Sequence, residues 1–526
     1  MKKSNFLFFT SLFFSSLSYG QEFVKGYVYD DANGNGKMDK KEIGLAQVSV
    51  SNGIEVAQTS DKGYYELPAR EDQVIFVIKP TGYQSPLNEN NLPQNYYLHK
   101  PNGSPADFKY KGVSPTGPLP KLLNFALIKQ EENDNFKALI FGDPQPYDEK
   151  EIEYFSKGIV SEVVGIKGVA FGLSLGDLVG NDLSLHSPYI KAVKEVGLPW
   201  YNLMGNHDMN FDATADSLSD ETFEANFGPV NYAFNVGKAH FIVLDDILYP
   251  DPRDNKSYWG GFREDQLQFI ENDLKYIDKN HLIVLAFHIP LMHHEEDAFR
   301  NNDRQRLFDL LKDFPHTLSL SAHTHLQRQN FYTKEDGWQQ EKPHHEYNAG
   351  TTSGDWYSGE LNEQGVPIST MRDGTPKGYA FITFKGNEYS IDYKVAGKPA
   401  DYQIELFAPK ILPRNKRTSA GIYANFFMGA KGDDVLYRVD NGPWKKMEYV
   451  EGADPNFLDI LHKYDHSKIL LSGRRPSNPE DCTHLWRGVI PTKLTVGAHQ
   501  IEVKATDRYG KISTEIINYE IAEQAN

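Results

Sequence analysis

Five apolar runs in this 526-residue chain stop abruptly at polar residues able to hold a metal, and no other feature constrains the fold as strongly. Pro199 to Met204 runs into Gly205-Asn206-His207-Asp208, and Phe136 to Phe141 runs into Gly142-Asp143-Pro144-Gln145. Val169 to Leu175 ends in Gly176-Asp177, Leu282 to Phe287 in His288, and Thr317 to Leu320 in Ser321-Ala322-His323-Thr324-His325. Largely apolar runs of this length read as buried strands, and α/β sheets place their crevice at the carboxyl ends of such strands. Helical patterns over 149–164, 187–196, 264–278 and 304–314 alternate with the runs. The chain therefore predicts a layered α-β-β-α core whose strand ends converge on one metal site.

The flanks read differently. A chain this long exceeds one hydrophobic core, and three folded segments are expected. Residues 21–130 alternate short strands with turns, as at Gly26 to Tyr29, Val48 to Val50 and Val74 to Ile78, and predict a β-sandwich. Residues 131–398 hold the α/β core, closing with a hairpin over Tyr379 to Phe384 and Tyr389 to Val395; in 399–526 the helices fade and a second β-sandwich is expected, with Trp444 in its core. The Pro-, Gly- and Ser-rich stretch from Pro101 to Pro120 reads as a long loop or linker. Within the first β-domain, Asp31, Asn33, Asn35, Lys37, Asp39 and Glu42 occupy positions 1, 3, 5, 7, 9 and 12 of a calcium loop, with Gly36 at the tight turn. Lys37 would contribute its backbone carbonyl. No helix-like segment precedes this loop, which resembles those of the calcium-stapled, Cna-B-like modules of exported bacterial proteins.

Residues 1–20, with Lys2 and Lys3 before a short apolar run and a Ser18-Tyr19-Gly20 end, predict a signal peptide cleaved before Gln21. Export to a periplasmic or extracellular location follows; the first residue after the cut is not Cys, so no lipoprotein is expected. No other segment is long and apolar enough to cross a membrane. The formal charge of −17 argues against a nucleic-acid-binding surface. The single cysteine, Cys482, makes no internal disulfide and reads as a packed thiol.

Taken in order, the strand ends D-x-Q, GD, GNHD, H and H-x-H resemble the calcineurin-like metallophosphoesterase superfamily over about 136–394. The GDPQ form of the first motif, with the two β-domains, resembles its secreted three-domain bacterial branch. Such a donor set suits two divalent cations about 3.5–4 Å apart, with Asp177 bridging them. The resemblance implies that Asp143, Gln145 and His325 complete one cation's ligands, and Asn206, His288 and His323 the other's. It implies a bridging water as nucleophile, and His207 as the proton donor to the leaving oxygen. Manganese, iron or zinc is expected, with magnesium possible; Gln145, where the family more often has His, disfavours zinc at the first position. Ala322 stands where Gly is usual. The Asp-Arg pair of the protein Ser/Thr phosphatases is absent after Asp177, leaving Asp182 or Asp208 to orient His207.

Around this set, Thr351, Thr352, Trp356 and Tyr357 are candidate substrate contacts, and Trp259, Trp356 and Tyr357 either stack on a base or sugar or pack under a loop. His293-His294-Glu295-Glu296-Asp297 reads as a solvated loop in preference to a lid, and His344 and His345 match no motif position. The expected activity is hydrolysis of a phosphate monoester on a small molecule or envelope component. A phosphodiesterase acting on a nucleotide or lipid headgroup is the nearer alternative. A calcium-stabilised envelope binding protein with a degenerate site is the alternative of another class.

Overall fold

The computed structural model describes residues 21–292 and 297–524. The expected signal peptide at 1–20 and the polar stretch His293-His294-Glu295-Glu296 lie outside the described residues.

The central core is built on two sheets packed face to face. The first has the order β3-β2-β1-β10-β11, formed by Asn135–Phe141 (β1), Phe171–Leu175 (β2), Trp200–Leu203 (β3), Gly378–Lys385 (β10) and Glu388–Val395 (β11). The second has the order β4-β5-β6-β7-β9-β8: Tyr232–Val236 (β4), Ala239–Val243 (β5), Leu282–Ala286 (β6), Thr317–Ser321 (β7), Arg328–Tyr332 (β8) and His344–Asn348 (β9). Alternate side chains of each strand go to different cores. Ala138, Ile140, Leu173 and Leu203 meet Phe241, Val284 and Leu318 between the sheets. Leu139, Phe141, Ile283 and Leu285 face outward to a second core that holds the helices.

Those helices are Glu149–Gly158 (α1) and His186–Lys194 (α2) over the first sheet, and Glu264–Leu274 (α3) and Asn301–Leu311 (α4) over the second. The layered α-β-β-α arrangement read from the sequence is the one observed. Both faces of β2 and β6 are buried throughout, which is why β6 is apolar without alternation and β2 carries nothing more polar than Ser174, whose hydroxyl meets Tyr189 and Trp200. The helix expected over 149–164 stops at Gly158 and continues only as the 3₁₀ turn Val160–Glu162.

Strand direction positions the site. β1, β2 and β3 run parallel, with Phe141 beside Ser174 and Leu175 beside Leu203. In the other sheet β6 and β7 run parallel, with Ala286 beside Leu320. Within each sheet the carboxyl ends of these strands thus lie at a common level.

The N-terminal segment forms two four-stranded sheets over a core of Val24, Val50, Tyr65, Ile75 and Leu127. It is docked closely on the central core. Phe76 packs edge-on against Phe269 at 5.6 Å, Lys79 pairs with Glu132 at 2.6 Å, and the buried Lys100 ammonium pairs with Glu221 at 2.7 Å and Glu224 at 2.8 Å. The stretch 101–120 is a loop, but not a free one: Lys109 N–H donates to Asp212 at 2.6 Å, and Ser104 donates to Glu221.

The C-terminal segment is a sandwich of four- and five-stranded sheets around Ile422, Val435, Trp486, Val503 and Ile521. Two details differ from the sequence reading. A helix, Pro455–His466 (α5), interrupts the strands, with the Asp454 carboxylate capping Phe457 N–H and Pro455 at its start. Trp444 is not in the core; it lies half-exposed on the sheet, with Arg438 at 4.6 Å and Lys504 at 4.8 Å over its ring. Cation–π contact with two flanking strands holds it there in place of burial.

Candidate active site

Each strand end turns sharply as it delivers its polar residues. Asp143, Gln145, Asp177, His323 and His325 all take positive φ, between 33° and 67°. For side-chain-bearing residues this costs about 1–2 kcal/mol each, a strain that clusters where geometry serves function. The turns are held by hydrogen bonds between motifs. Gln145 N–H donates to Asp177 O at 2.8 Å, Ala322 N–H to His288 O at 3.0 Å, and His323 N–H to Asp143 Oδ2 at 3.1 Å. Gly205 is required by close approach: a Cβ there would overlap both the backbone nitrogen and the carboxylate of Asp177.

The side chains converge. His288 Nε2 lies 3.3 Å from Asp177 Oδ2, 3.8 Å from Asp143 Oδ1, 3.1 Å from Asn206 Oδ1 and 3.3 Å from His323 Nδ1. Asp177, His288 and His323 place ligand atoms within 4.8 Å of one another. His288 Nδ1 donates to Leu175 O at 2.8 Å and His325 Nδ1 to Gly354 O at 2.8 Å, so both rings turn Nε2 into the cluster. Gln145 lies 3.2 Å from Asp177, yet its Oε1 and His325 Nε2 are buried without any partner. Buried polar atoms are otherwise almost always satisfied. Two carboxylates, two amide oxygens and three imidazoles, with two inward atoms unsatisfied, fit divalent cations of hard to borderline character.

The electrostatics carry the same message. Burial and the Asp177 charge push the Asp143 carboxyl well above the usual range. Burial also opposes ionisation of Asp177, but His288, His207 and His323 outweigh it and hold the carboxyl below its usual range. Burial disfavours a charged His288, yet Asp177, Asp143 and Asp246 raise its pKa to about 10; His325, buried with little compensation, falls to about 4.

His207 stands beside this cluster, its N–H donating to Asp177 Oδ1 at 2.9 Å. Its ring Nδ1 is 2.7 Å from Asn181 Oδ1. An amide oxygen only accepts, so Nδ1 carries a proton and Nε2 is the ring nitrogen left for other partners. The orienting group is thus Asn181, not the expected Asp182 or Asp208. Asp182 caps the next turn through Ser184, and Asp208 is consumed by Gly205 N–H at 2.9 Å, Leu178 N–H at 3.0 Å and Val179 N–H at 3.2 Å. Asp246 also escaped the sequence reading. Its buried carboxylate accepts from His288 N–H at 3.0 Å and Ile289 N–H at 2.9 Å. It follows the apolar run 239–244, a sixth strand end of the same kind.

The four candidate substrate contacts separate. Thr351 and Thr352 are buried and donate to Gly354 O and Gly142 O, both at 2.9 Å, and the buried Tyr357 hydroxyl donates to Pro144 O. These three brace the loop, because their hydroxyls must satisfy backbone carbonyls away from water. Trp356 does reach the site, stacked on His325 with centroids 4.1 Å apart. Trp259 is held away from these rings, its indole N–H donating to Asp297 O at 2.7 Å and its face covered by Arg253. Tyr147 and Tyr258 pack edge-on against His207 at 6.0 Å and His323 at 6.1 Å. His344 is satisfied by Thr317 at 2.8 Å and Ser319 at 2.7 Å, and Cys482 is buried beside His484, both outside the site.

The C-terminal domain reaches the site. Arg474 donates to Trp356 O, and Ser477 N–H to the buried Asp355 carboxylate at 2.7 Å. Arg372, paired with Glu480 at 3.0 Å, donates to Thr324 O at 2.9 Å, between the two motif histidines. A separate cavity of about 270 Å³, lined by Arg70, Lys100, Asp220, Glu224 and Arg263 between the first two domains, contains none of the clustered residues.

The calcium-type loop is closed on itself. Asp31 accepts from Asn35 N–H at 3.1 Å and Gly36 N–H at 2.8 Å, Asn35 Oδ1 from Lys37 N–H at 2.8 Å, and Glu42 Oε2 from Asp39 N–H at 2.8 Å. Glu42 Oε1 is buried without a partner. Burial and the charges of Asp31, Glu42 and Asp39 push the neighbouring Tyr29 hydroxyl up to about 12.

Three family models match the chain in order: the N terminal of calcineurin-like phosphoesterase over 32–113, calcineurin-like phosphoesterase over 136–327, and the C terminal of calcineurin-like phosphoesterase over 346–512. No curated protein matches it. Among solved structures it is similar to a purple acid phosphatase from yellow lupin (Lupinus luteus) seeds, at 13% identity and TM-score 0.36, covering 66% of this chain and 67% of that one. It is also similar to GAP50, the anchor in the inner membrane complex of Plasmodium (17%, TM-score 0.31, 50% of this chain and 85% of that one), and to a metallophosphoesterase from Sphaerobacter thermophilus (12%, TM-score 0.23, 50% and 89%). Likenesses this distant say nothing about substrate or partners.

Proposed function

We propose, for a chain that belongs to the calcineurin-like phosphoesterase family and is therefore a metal-dependent phosphoester hydrolase, that its substrate is a phosphate monoester. The observation that carries this reading is the depth of the cluster. Asp143, Gln145, Asp177, Asn206, His288 and His325 are all buried, and only His207 and His323 reach the opening. A terminal phosphoryl group has only to reach inward to the cluster, whereas a diester must also place a second ester arm near Tyr147, which packs on His207, and Trp356, which stacks on His325. Asp143, Gln145, Asp177 and His325 would hold one divalent cation, and Asp177, Asn206, His288 and His323 the other. Cations held there supply Lewis acidity toward the phosphoryl oxygens and a nucleophilic water near neutral pH. The amide donor Gln145 favours manganese, iron or magnesium over zinc at the first position.

His207 protonates the leaving oxygen through Nε2, while Asn181 holds Nδ1–H and fixes the ring. Asp246, Asp208 and Arg372 keep the strand-end loops at the level that the ligands require. Asp31, Asn33, Asn35, Lys37, Asp39 and Glu42 bind calcium, which ties the first domain together and takes no part in chemistry; the unpartnered Glu42 oxygen supports this. The signal-type sequence of residues 1–20 supports export.

The test is hydrolysis of an aryl phosphate and an aryl phosphodiester by metal-stripped protein, with manganese, iron(II), zinc and magnesium restored separately. The monoester should turn over with metal and be lost in His207→Ala. Preferential cleavage of the diester would overturn the monoesterase reading.

A further inference from the structure

The loop that follows α5 carries the two most exposed large apolar side chains among the described residues, Leu470, fully exposed, and Ile469, at 76%. They are not isolated. Leu361 N–H donates to Ser472 Oγ at 3.3 Å, which sets the exposed Leu361 and its hairpin neighbour Ile368 against the base of the same loop. Single exposed apolar residues need no explanation, but an adjacent pair at a loop tip extended by two more does.

The tip is also basic, in a chain of formal charge −17. Lys463 is paired with Glu360, and Arg475 with Asp465 at 2.6 Å, while Lys468 and Arg474 meet no carboxylate at ion-pair distance among the described residues. Its base is joined to the catalytic cleft: Gly359 N–H donates to Arg474 O at 2.7 Å, and Arg474 donates to the carbonyl of Trp356, the ring stacked on His325.

A protein partner fits this feature poorly. Leu361, Ile368, Ile469 and Leu470 are few beside the roughly 20–30 residues a side of a stable interface, and lysine is depleted from interface cores. Exposed apolar side chains on a loop that also carries Lys and Arg free of carboxylate partners match the interfacial region of an anionic bilayer, where the chains enter the headgroup layer and the cations meet lipid phosphates. We propose that Ile469 and Leu470, with the exposed Lys468 beside them and Arg474 at the base of the same loop, dock the protein on an anionic lipid surface and set its cleft against phosphate esters displayed there. The second half of this statement rests on the phosphoesterase reading; the first does not.

The experiment is co-sedimentation of the full chain with vesicles of phosphatidylglycerol and phosphatidylethanolamine, with phosphatidylcholine vesicles as the neutral reference, at low and high salt. Binding should be confined to the anionic vesicles and weakened by salt. It should fall at least about tenfold in the double variant Ile469→Ser/Leu470→Ser, which should still turn over a soluble aryl phosphate at the wild-type rate. Absence of binding to anionic vesicles, or equal binding by the double variant, overturns the docking proposal. So does a concentration-dependent dimer in light scattering that the double variant abolishes, since the tip would then bind a second copy. Failure of aryl phosphate turnover alongside intact vesicle binding would instead remove the phosphoesterase half.

Discussion

Replacing Asn181 tests how the proton donor is held. The substitution Asn181→Ala deletes the acceptor 2.7 Å from His207 Nδ1 and touches no clustered donor. A hydrogen bond to a charged group is worth about 1.5–3 kcal/mol, which corresponds to about a tenfold to hundredfold loss in rate if it acts mainly in the transition state. The loss should depend on the leaving group. An alkyl phosphate, whose alkoxide must be protonated as it departs, should suffer the full loss in kcat; an aryl phosphate with an acidic phenol should lose much less. Asn181→Asp, which keeps an acceptor in place, should recover most of the alkyl activity. Stability should fall by only about 1 kcal/mol, because residue 181 is exposed and Ala is less tolerant of φ near 70°. Steady-state kinetics on a matched alkyl and aryl pair, with thermal melts of each variant, provide the assay. An equal loss on both substrates, or none on either, would refute the reasoning.

Other outcomes follow from the same geometry. Asp177→Asn should keep the fold, since the amide oxygen can still accept from His207 N–H, but should abolish metal-dependent turnover and lower bound metal; wild-type turnover would remove Asp177 from the cluster's chemistry. Cation binding should release protons. His288, with its pKa raised to about 10, is protonated at neutral pH, so a cation taking Nε2 displaces that proton and affinity rises with pH. Calorimetry in buffers of different ionisation enthalpy reads this release directly, and a heat independent of buffer would contradict it. Glu42→Gln should lower stability in calcium but not in chelator, by up to about 2.7 kcal/mol at a hundredfold excess over Kd. Identical melts in both buffers would exclude a calcium site there.

Much of the core was legible because burial on both faces leaves a strand few options. Leu282 to Phe287 is apolar throughout and Phe171 to Leu175 admits only the small Ser174, whose hydroxyl is satisfied by Tyr189 and Trp200, so the polar residue that ends each run stood out. α5 escaped notice because a twelve-residue helix between strands relies on a local Asp454-Pro455 start and on burial of Phe457 and Leu461 beneath it. Trp444 was misplaced because an apolar ring can be held by two flanking cations as well as by a core.

The amino-acid sequence by itself determined the chemistry available to this protein: the order of the strands, the donor atoms at their ends and the oxygen-rich loop of the first domain. Those follow from local periodicity and residue type, which a linear chain displays openly. Tertiary structure decided which neighbours those donors meet. It chose Asn181 over Asp182 and Asp208 as the partner of His207, turned Thr351, Thr352 and Tyr357 inward, and brought Arg474 from the far domain to the edge of the cleft. The reason is physical. A hydrogen bond is settled within a few tenths of an ångström, and the positive-φ turns and parallel registers that set such distances arise only when two sheets and three domains pack together.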